Sequence, residues 1–292
     1  MRIGLFAPLA GPFATGEYLE TLGRGAEERG FHSLWVAEHV VLFDDYGSRY
    51  PYSADGRIPA APENGMLEPF TSLSFLAAVT QRIRLGTGIC LVPQRNPVYT
   101  AKQVANVDFL SGGRLDFGVG VGWLAEEFRS VSVPFERRGA RCRSYLEVMR
   151  RLWCDETSEY KDDLYQLPAC RMYPKPIQKP HPPIHFGGET DAALRRVADL
   201  GQGWYGFNRD PDQAAEGIAR LRTLLEARGR SLDDVEVSIS PYLKPVGDGA
   251  LARYREAGVD QVIAVAFALD RDSLLSTLDT LAKNFVEPAA AL

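Results

Sequence analysis

The stretch RLDFGVGVGW, residues Arg114 to Trp123, decides how this chain folds. Three glycines, Gly118, Gly120 and Gly122, alternate with valines behind an apolar run, as they would in a nucleotide-binding loop. A dinucleotide fingerprint needs G-x-G-x-x-G/A opening a helix, the last small residue letting that helix lie close against its strand. The matching position holds Trp123, among the bulkiest side chains available. No clear acidic partner follows about 20 positions on, at the end of a second strand. What remains is a buried strand whose glycines let another backbone come close.

Working outward from that strand, the rest of the chain alternates in the same way. RIGLFAPL (2–9), SLWVAEH (33–39), RIRLGTGI (82–89), RLDFGVGV (114–121), PPIHFGG (182–188), GWYGFN (203–208), VEVSISPYL (235–243) and QVIAVAF (261–267) read as strands. Amphipathic segments at 16–30, 69–81, 97–113, 136–154, 191–201, 210–229, 249–258 and 271–285 read as helices. Asp210-Pro211 supplies an N-cap followed by proline at the first helical position. Gly30, Gly201, Gly229 and Gly258 stand where helices should stop. Alternating strands and helices imply parallel pairing through right-handed crossovers. Eight such units predict a (β/α)8 TIM barrel, α/β in class, with residues 1–292 forming one domain. An open doubly wound sheet is the competing arrangement, and the count of eight disfavours it.

Two connections exceed the usual few residues. Residues 40–67 follow strand 2, and in a barrel the loops after strands build the active site. That loop is expected to act as a mobile lid. Residues 155–181 form an insertion before strand 5, expected to pack or form a rim, its prolines favouring an extended path.

Bulk properties narrow the function. A chain of 292 residues, 45% hydrophobic and 24% charged, can bury a large core. Its net charge of -5 and the lack of a basic run argue against nucleic acid as a partner, leaving a small-molecule substrate. No apolar segment approaches the roughly 18 residues of a membrane span. MRIGLFAPLAGPFATG has too thin a polar start for a secretory signal and reads as a core strand closed by Gly11 and Pro12. Cys90, Cys142, Cys154 and Cys170 form no C-x-x-C pair, and are expected as buried thiols in a reducing cytoplasm. Pro182 and Pro183 separate His181 from His185 and prevent a helical ligand pair, so no metal site is expected.

The barrel directs attention to the C-terminal strand ends. These are Phe6 to Pro8, Glu38-His39, Gly88-Ile89-Cys90, Gly120 to Trp123, and Gly187 to Thr190. Glycines at three neighbouring strand tops would clear space for a flat polycyclic ligand. Gly187-Gly188 leads into a helix near Thr190 or Asp191. It is either an anion-binding turn with free N–H groups or simply a tight strand-to-helix turn.

Taken together, WVAEH (35–39), RIRLGTGICLVPQRNPVYTAKQ (82–103), LSGGRLDFGVGVGWLAEEF (110–128), ERRGARCRSYLEVMRRLW (136–153) and PKPIQKPHPPIHFGG (174–188) resemble the luciferase-like monooxygenase superfamily. The nearest pattern is its branch of probable oxidoreductases that use the deazaflavin coenzyme F420, a branch that SRYPYSADGRIP (48–59) fits well. The resemblance runs from the first strand through GQGWYG (201–206), about two-thirds of the chain.

The resemblance implies that Gly118 to Trp123 lie under an isoalloxazine-like ring, with Phe6, Gly120, Gly122 and Trp123 against the cofactor. Gly88-Ile89 would form a bulge with a non-prolyl cis peptide supporting the middle ring. Gly187, Gly188 and Thr190 would form a phosphate turn, although Glu189 would repel a phosphate unless it pointed away. His39 would be the active-site histidine, a residue type suited to proton transfer near neutral pH. Glu38 either orients His39 or is a buried acid of the barrel. Arg49, Tyr50 and Tyr52 are candidate substrate contacts, or ordinary loop residues. Trp35 and Trp204 read as core or cofactor-edge packing. Trp123 stands where sugar-phosphate dehydrogenases of the superfamily carry glutamate, which suggests an apolar wall instead.

The function so implied is hydride transfer between F420 and a small organic substrate, with His39 as proton donor or acceptor. An FMN-dependent monooxygenase using reduced flavin and oxygen is the second reading, and a non-catalytic cofactor-binding barrel the third. A homodimer would be typical of the family.

Overall fold

The strands and helices read from the sequence close on themselves in the computed structural model, which describes residues 1–11 and 14–292. The strands are β1 (Arg2–Ala7), β2 (Ser33–Val36), β3 (Arg84–Thr87), β4 (Cys90–Leu91), β5 (Leu115–Gly120), β6 (Ser158–Lys161), β7 (Gln166–Cys170), β8 (Ile184–Gly187), β9 (Gly203–Phe207), β10 (Glu236–Ser240) and β11 (Gln261–Val265). Eight of them pair in parallel in the order β1-β2-β3-β5-β8-β9-β10-β11, and β11 returns to β1. The ring closes on the other side through Leu85 opposite Leu115 and Gly86 opposite Asp116. This is the expected (β/α)8 barrel. The two-residue β4 resumes beyond a break after Thr87 and pairs with the upper half of β5. The insertion before β8 is not simply extended: β6 and β7 form an antiparallel hairpin.

Around the ring lie α1 (Gly16–Glu28), α2 (Pro69–Val79), α3 (Pro97–Leu110), α4 (Ala125–Ser130), α5 (Arg138–Cys154), α6 (Asp191–Leu200), α7 (Pro211–Glu226), α8 (Ala250–Ala257) and α9 (Arg271–Leu281). Their starts follow from local chemistry. Asp210 caps α7 in a reciprocal box with Gln213, Pro211 sits inside the first turn, and Thr190 caps α6. The short α4 was not expected from the sequence.

Inside the barrel, Phe6, Trp35, Tyr205 and Ile263 form a separate apolar layer. Below them a polar relay is fully satisfied: Trp35 Nε1 donates to Ser33, Ser33 Oγ to Gln261, and Gln261 Nε2 to Ser238. Trp35 and Trp204 are both buried. The opening glycines now have distinct reasons. A Cβ on Gly118 would lie 1.8 Å from the Thr87 carbonyl oxygen, so Gly118 permits the backbone approach that closes β3 onto β5.

Some expectations change. Cys90 and Cys142 are buried, but Cys154 is exposed and Cys170 only half-buried, because both lie at the edge of the insertion. Gly11 ends the first strand region in a positive-φ turn, while its expected companion Pro12 lies outside the described residues. Among the described residues no cluster of metal-ligating side chains occurs, and no helix is long and apolar enough to cross a membrane.

Candidate active site

A cleft of about 600 Å³ opens at the C-terminal ends of the strands. Part of its floor is the break in strand 3. The Gly88–Ile89 peptide is cis, so the chain turns Ile89 into the cleft before resuming as β4. A Cβ on Gly120 or Gly187 would come within 2.1 or 2.7 Å of Ile89 Cδ1. Gly120 therefore does not line the cleft, as expected of it, but makes the socket in which Ile89 sits. Gly88, Ile89, Gly122, Trp123, Gly187 and Gly188 do line it, with Phe6 from β1.

His39 stands at the top of β2 with its side chain largely buried. Its Nδ1 lies 3.2 Å from Glu127 Oε2. Glu127 is fully buried on α4 and is itself fixed, accepting from the Val40 N–H at 2.7 Å and from Gln94 Nε2 at 3.1 Å. With Nδ1 committed, Nε2 is the nitrogen left for the cleft. Among the described residues Glu38 makes no side-chain hydrogen bond to His39. It accepts from the Leu91 N–H at 2.5 Å and from Arg95 Nε at 2.7 Å, and so holds β4 in place, while Arg95 also bonds Glu68 at 2.6 Å. Of the two roles considered for Glu38, the geometry gives it the buried structural one.

The opposite end of the cleft suits an anion. Gly188 has φ +103, a conformation glycine adopts freely, and Thr190 caps α6 by accepting from the Ala193 N–H at 3.2 Å. Arg138 opens α5 and Arg196 lies on α6, and both residues line the cleft with Gly188 and Thr190. Arg138 is fixed by a 3.1 Å bond from Nε to the Gly122 carbonyl and stacks over Phe135. Burial pulls the pKa of both arginines below the usual value. Among the described residues neither forms an ion pair with a carboxylate. Glu189 does not spoil the site. Its carboxylate turns to accept from Tyr52 Oη at 3.0 Å and the Phe207 N–H at 2.8 Å, and burial raises its pKa.

The remaining walls are aromatic. From His39 a chain of edge-to-face contacts runs through Trp123, Tyr50, Tyr52 and Phe207, and Phe207 packs on Tyr242 with ring centres 4.4 Å apart. Tyr50 and Tyr52 come from loop 40–67, which roofs the cleft. Its Ser48 hydroxyl donates to Glu126 at 2.7 Å, and Tyr52 is held by Glu189. Arg49, expected as a substrate contact, is exposed and lies against Gly56 outside the cleft lining.

Sequence reasoning did not single out Glu127, Arg138, Arg196, Phe207 or Tyr242. The arginines had a faint signal in ERRGARCR and DAALRR, as basic residues in the first two turns of α5 and α6. Glu127 had none beyond its place in LAEEF.

A model of the luciferase-like monooxygenase family matches residues 1–269. The chain belongs to that family. The match passes well beyond residue 206, where readable motifs stop. An uncharacterized protein of Mycobacterium tuberculosis is 35% identical over 241 residues, 82% of this chain and 84% of its own. The FMNH2-dependent dimethylsulfone monooxygenase of Pseudomonas putida is 31% identical over 154 residues, 52% of this chain and 41% of its own. The coenzyme F420-dependent tetrahydromethanopterin reductase of Methanopyrus kandleri shares the fold, with a TM-score of 0.75 over 99% of both chains at 16% identity. Members of the luciferase-like family are oxidoreductases or monooxygenases, and this barrel carries the family's architecture.

Proposed function

We propose that this luciferase-like protein is an oxidoreductase that uses coenzyme F420, with His39 giving or taking the proton at a small organic substrate. The observation that carries the reading is His39 itself: one ring nitrogen is held by a buried carboxylate and the other is left for an apolar cleft. The cofactor's demands fit the residues present. Arg138, Arg196 and the N–H groups at the start of α6 would hold its phosphate, and the Gly88-Ile89 turn with Gly122 leaves a smooth floor for a planar ring. When bound, a deazaflavin supplies or accepts a hydride.

The chain's own residues do the rest. Glu127 fixes the tautomer and orientation of His39, and Trp123 and Tyr50 shield the imidazole from bulk water. In the reducing direction His39 protonates the substrate oxygen or nitrogen, and in the oxidising direction it removes the hydroxyl proton. The loop phrase 48–59 favours F420, and the fold likeness to an F420-dependent reductase is compatible with it.

Titration of the purified protein with F420 and with FMN, followed by fluorescence, tests the assignment. F420 is expected to bind more tightly. A response to FMN alone would transfer the site to the monooxygenase reading, which the similarity to an FMNH2-dependent relative supports.

A further inference from the structure

The cleft has two chemically different ends, and only one of them is accounted for by a cofactor phosphate. The other, beneath loop 40–67, is walled by Phe6, Tyr50, Tyr52, Phe207, Tyr242 and Phe267. Among the described residues no lysine, arginine or aspartate lines this half. Its one carboxylate, Glu189, is already bonded to Tyr52 and the Phe207 N–H, with Arg209 3.8 Å away. The phenols of Tyr50, Tyr52 and Tyr242 are pushed up by burial and stay neutral. The lip carries Phe267, in the loop after β11, which is 52% exposed, and Leu243 and Leu269 in the loops after β10 and β11 are 57% and 54% exposed outside the cleft lining. Apolar side chains held in water at a cleft mouth mark a route for an apolar ligand.

We infer that this aromatic half binds an uncharged, ring-containing carbonyl compound or alcohol as the substrate, its polar group directed to His39 and its ring held among Tyr52, Phe207 and Tyr242. The choice of carbonyl or alcohol rests on the oxidoreductase reading; the choice of an uncharged ring rests on the cleft alone. An anionic substrate would lose its hydration here without gaining a cation. A cation would find aromatic faces, but Glu189, the acid beside them, is engaged and sits beside Arg209. The ring centres of Tyr52 and Phe207 lie 5.0 Å apart and those of Phe6 and Phe207 5.4 Å apart, a rigid edge-to-face set that accepts a planar ring with little ordering cost.

Three probes of similar size and different charge test this: acetophenone, benzoate and phenyltrimethylammonium. Each is titrated into the cofactor-free protein with saturation-transfer NMR and tryptophan fluorescence as readouts. Acetophenone is expected to bind at least about tenfold more tightly than either ion. Phe207→Ala is expected to weaken it about tenfold, and Phe267→Ser at the exposed rim to weaken it several-fold without touching the core. Equal or tighter binding of benzoate or the ammonium, or no change in either variant, overturns the inference. Acetophenone binding without F420 or FMN binding would keep the apolar site and overturn the oxidoreductase reading. Cofactor binding with a preference for benzoate would do the reverse.

Discussion

At the scale of single residues, Nδ1 of His39 faces a carboxylate that arrives from 88 positions further along the chain. That separation explains why Glu127 was invisible in the sequence while His39 was not. A histidine at the end of an apolar strand announces itself by position, but its partner lies on a six-residue helix too short to show periodicity. His39→Ala is expected to keep its melting temperature within a few degrees and to bind cofactor normally. Its turnover should fall by about two orders of magnitude or more. A folded, loaded variant with near-native turnover would remove His39 from the chemistry. Glu127→Gln preserves volume, but its single amide oxygen can accept from only one of Val40 and Gln94, and it no longer stabilises a protonated imidazole. About a tenfold loss in kcat with little change in KM is expected, together with a shifted pH–rate profile. Glu127→Asp should recover part of it; a purely structural Glu127 would move melting temperature and leave the profile in place.

At the scale of elements, the glycines of RLDFGVGVGW divide into two kinds, and substitution separates them. At Gly118 an added Cβ meets the Thr87 carbonyl oxygen at 1.8 Å, and backbone cannot swing aside. Gly118→Ala is expected to destabilise the fold by about 3 kcal/mol or more, read from denaturant unfolding. At Gly120 the added Cβ meets the tip of Ile89, which can rotate into the cleft. Gly120→Ala should therefore lose little stability and mainly weaken cofactor binding. If both variants behave alike, the socket assigned to Ile89 is wrong. The strand and helix rhythm was legible because each barrel strand is buried on both faces and each helix on one. Loop 40–67 was legible only as a site loop by its length and place. What it holds on to, Glu126 and Glu189, depends on folds of α4 and β8 that no local pattern encodes. Tyr52→Phe removes one pin, and faster amide exchange over residues 50–58 is the expected result. Unchanged exchange would make the loop a fixed roof and not the mobile lid its length suggests.

At the scale of the whole molecule, the ring depends on a seam where β3, β5 and β8 meet, because the strand 3 break leaves β3 and β5 only two paired positions. Buried charge laces this seam. Arg84 of β3 grips Asp116 of β5 with bonds of 2.8 and 2.5 Å, and His185 of β8 lies 3.8 Å from the same carboxylate. Burial alone would raise the Asp116 pKa, but the His185 and Arg84 partners outweigh it and hold the carboxyl at about 2, against 3.8 for the free side chain. A carboxyl whose pKa is lowered by folding stabilises the native state fully above the unfolded value and loses that contribution as pH falls toward the folded one. The window here runs from about pH 4 down to about pH 2, and the group contributes about 2 kcal/mol above it. Asp116→Asn removes the charge while leaving Arg84 half-buried beside it. We expect a loss of about 3 kcal/mol at pH 7, and a difference from the native chain that shrinks as the pH is lowered through that window. Urea unfolding at pH 7, 4 and 2.5 reads both quantities. A deficit that stays constant down to pH 2.5 would mean that the seam is held by packing and not by the Asp116 charge.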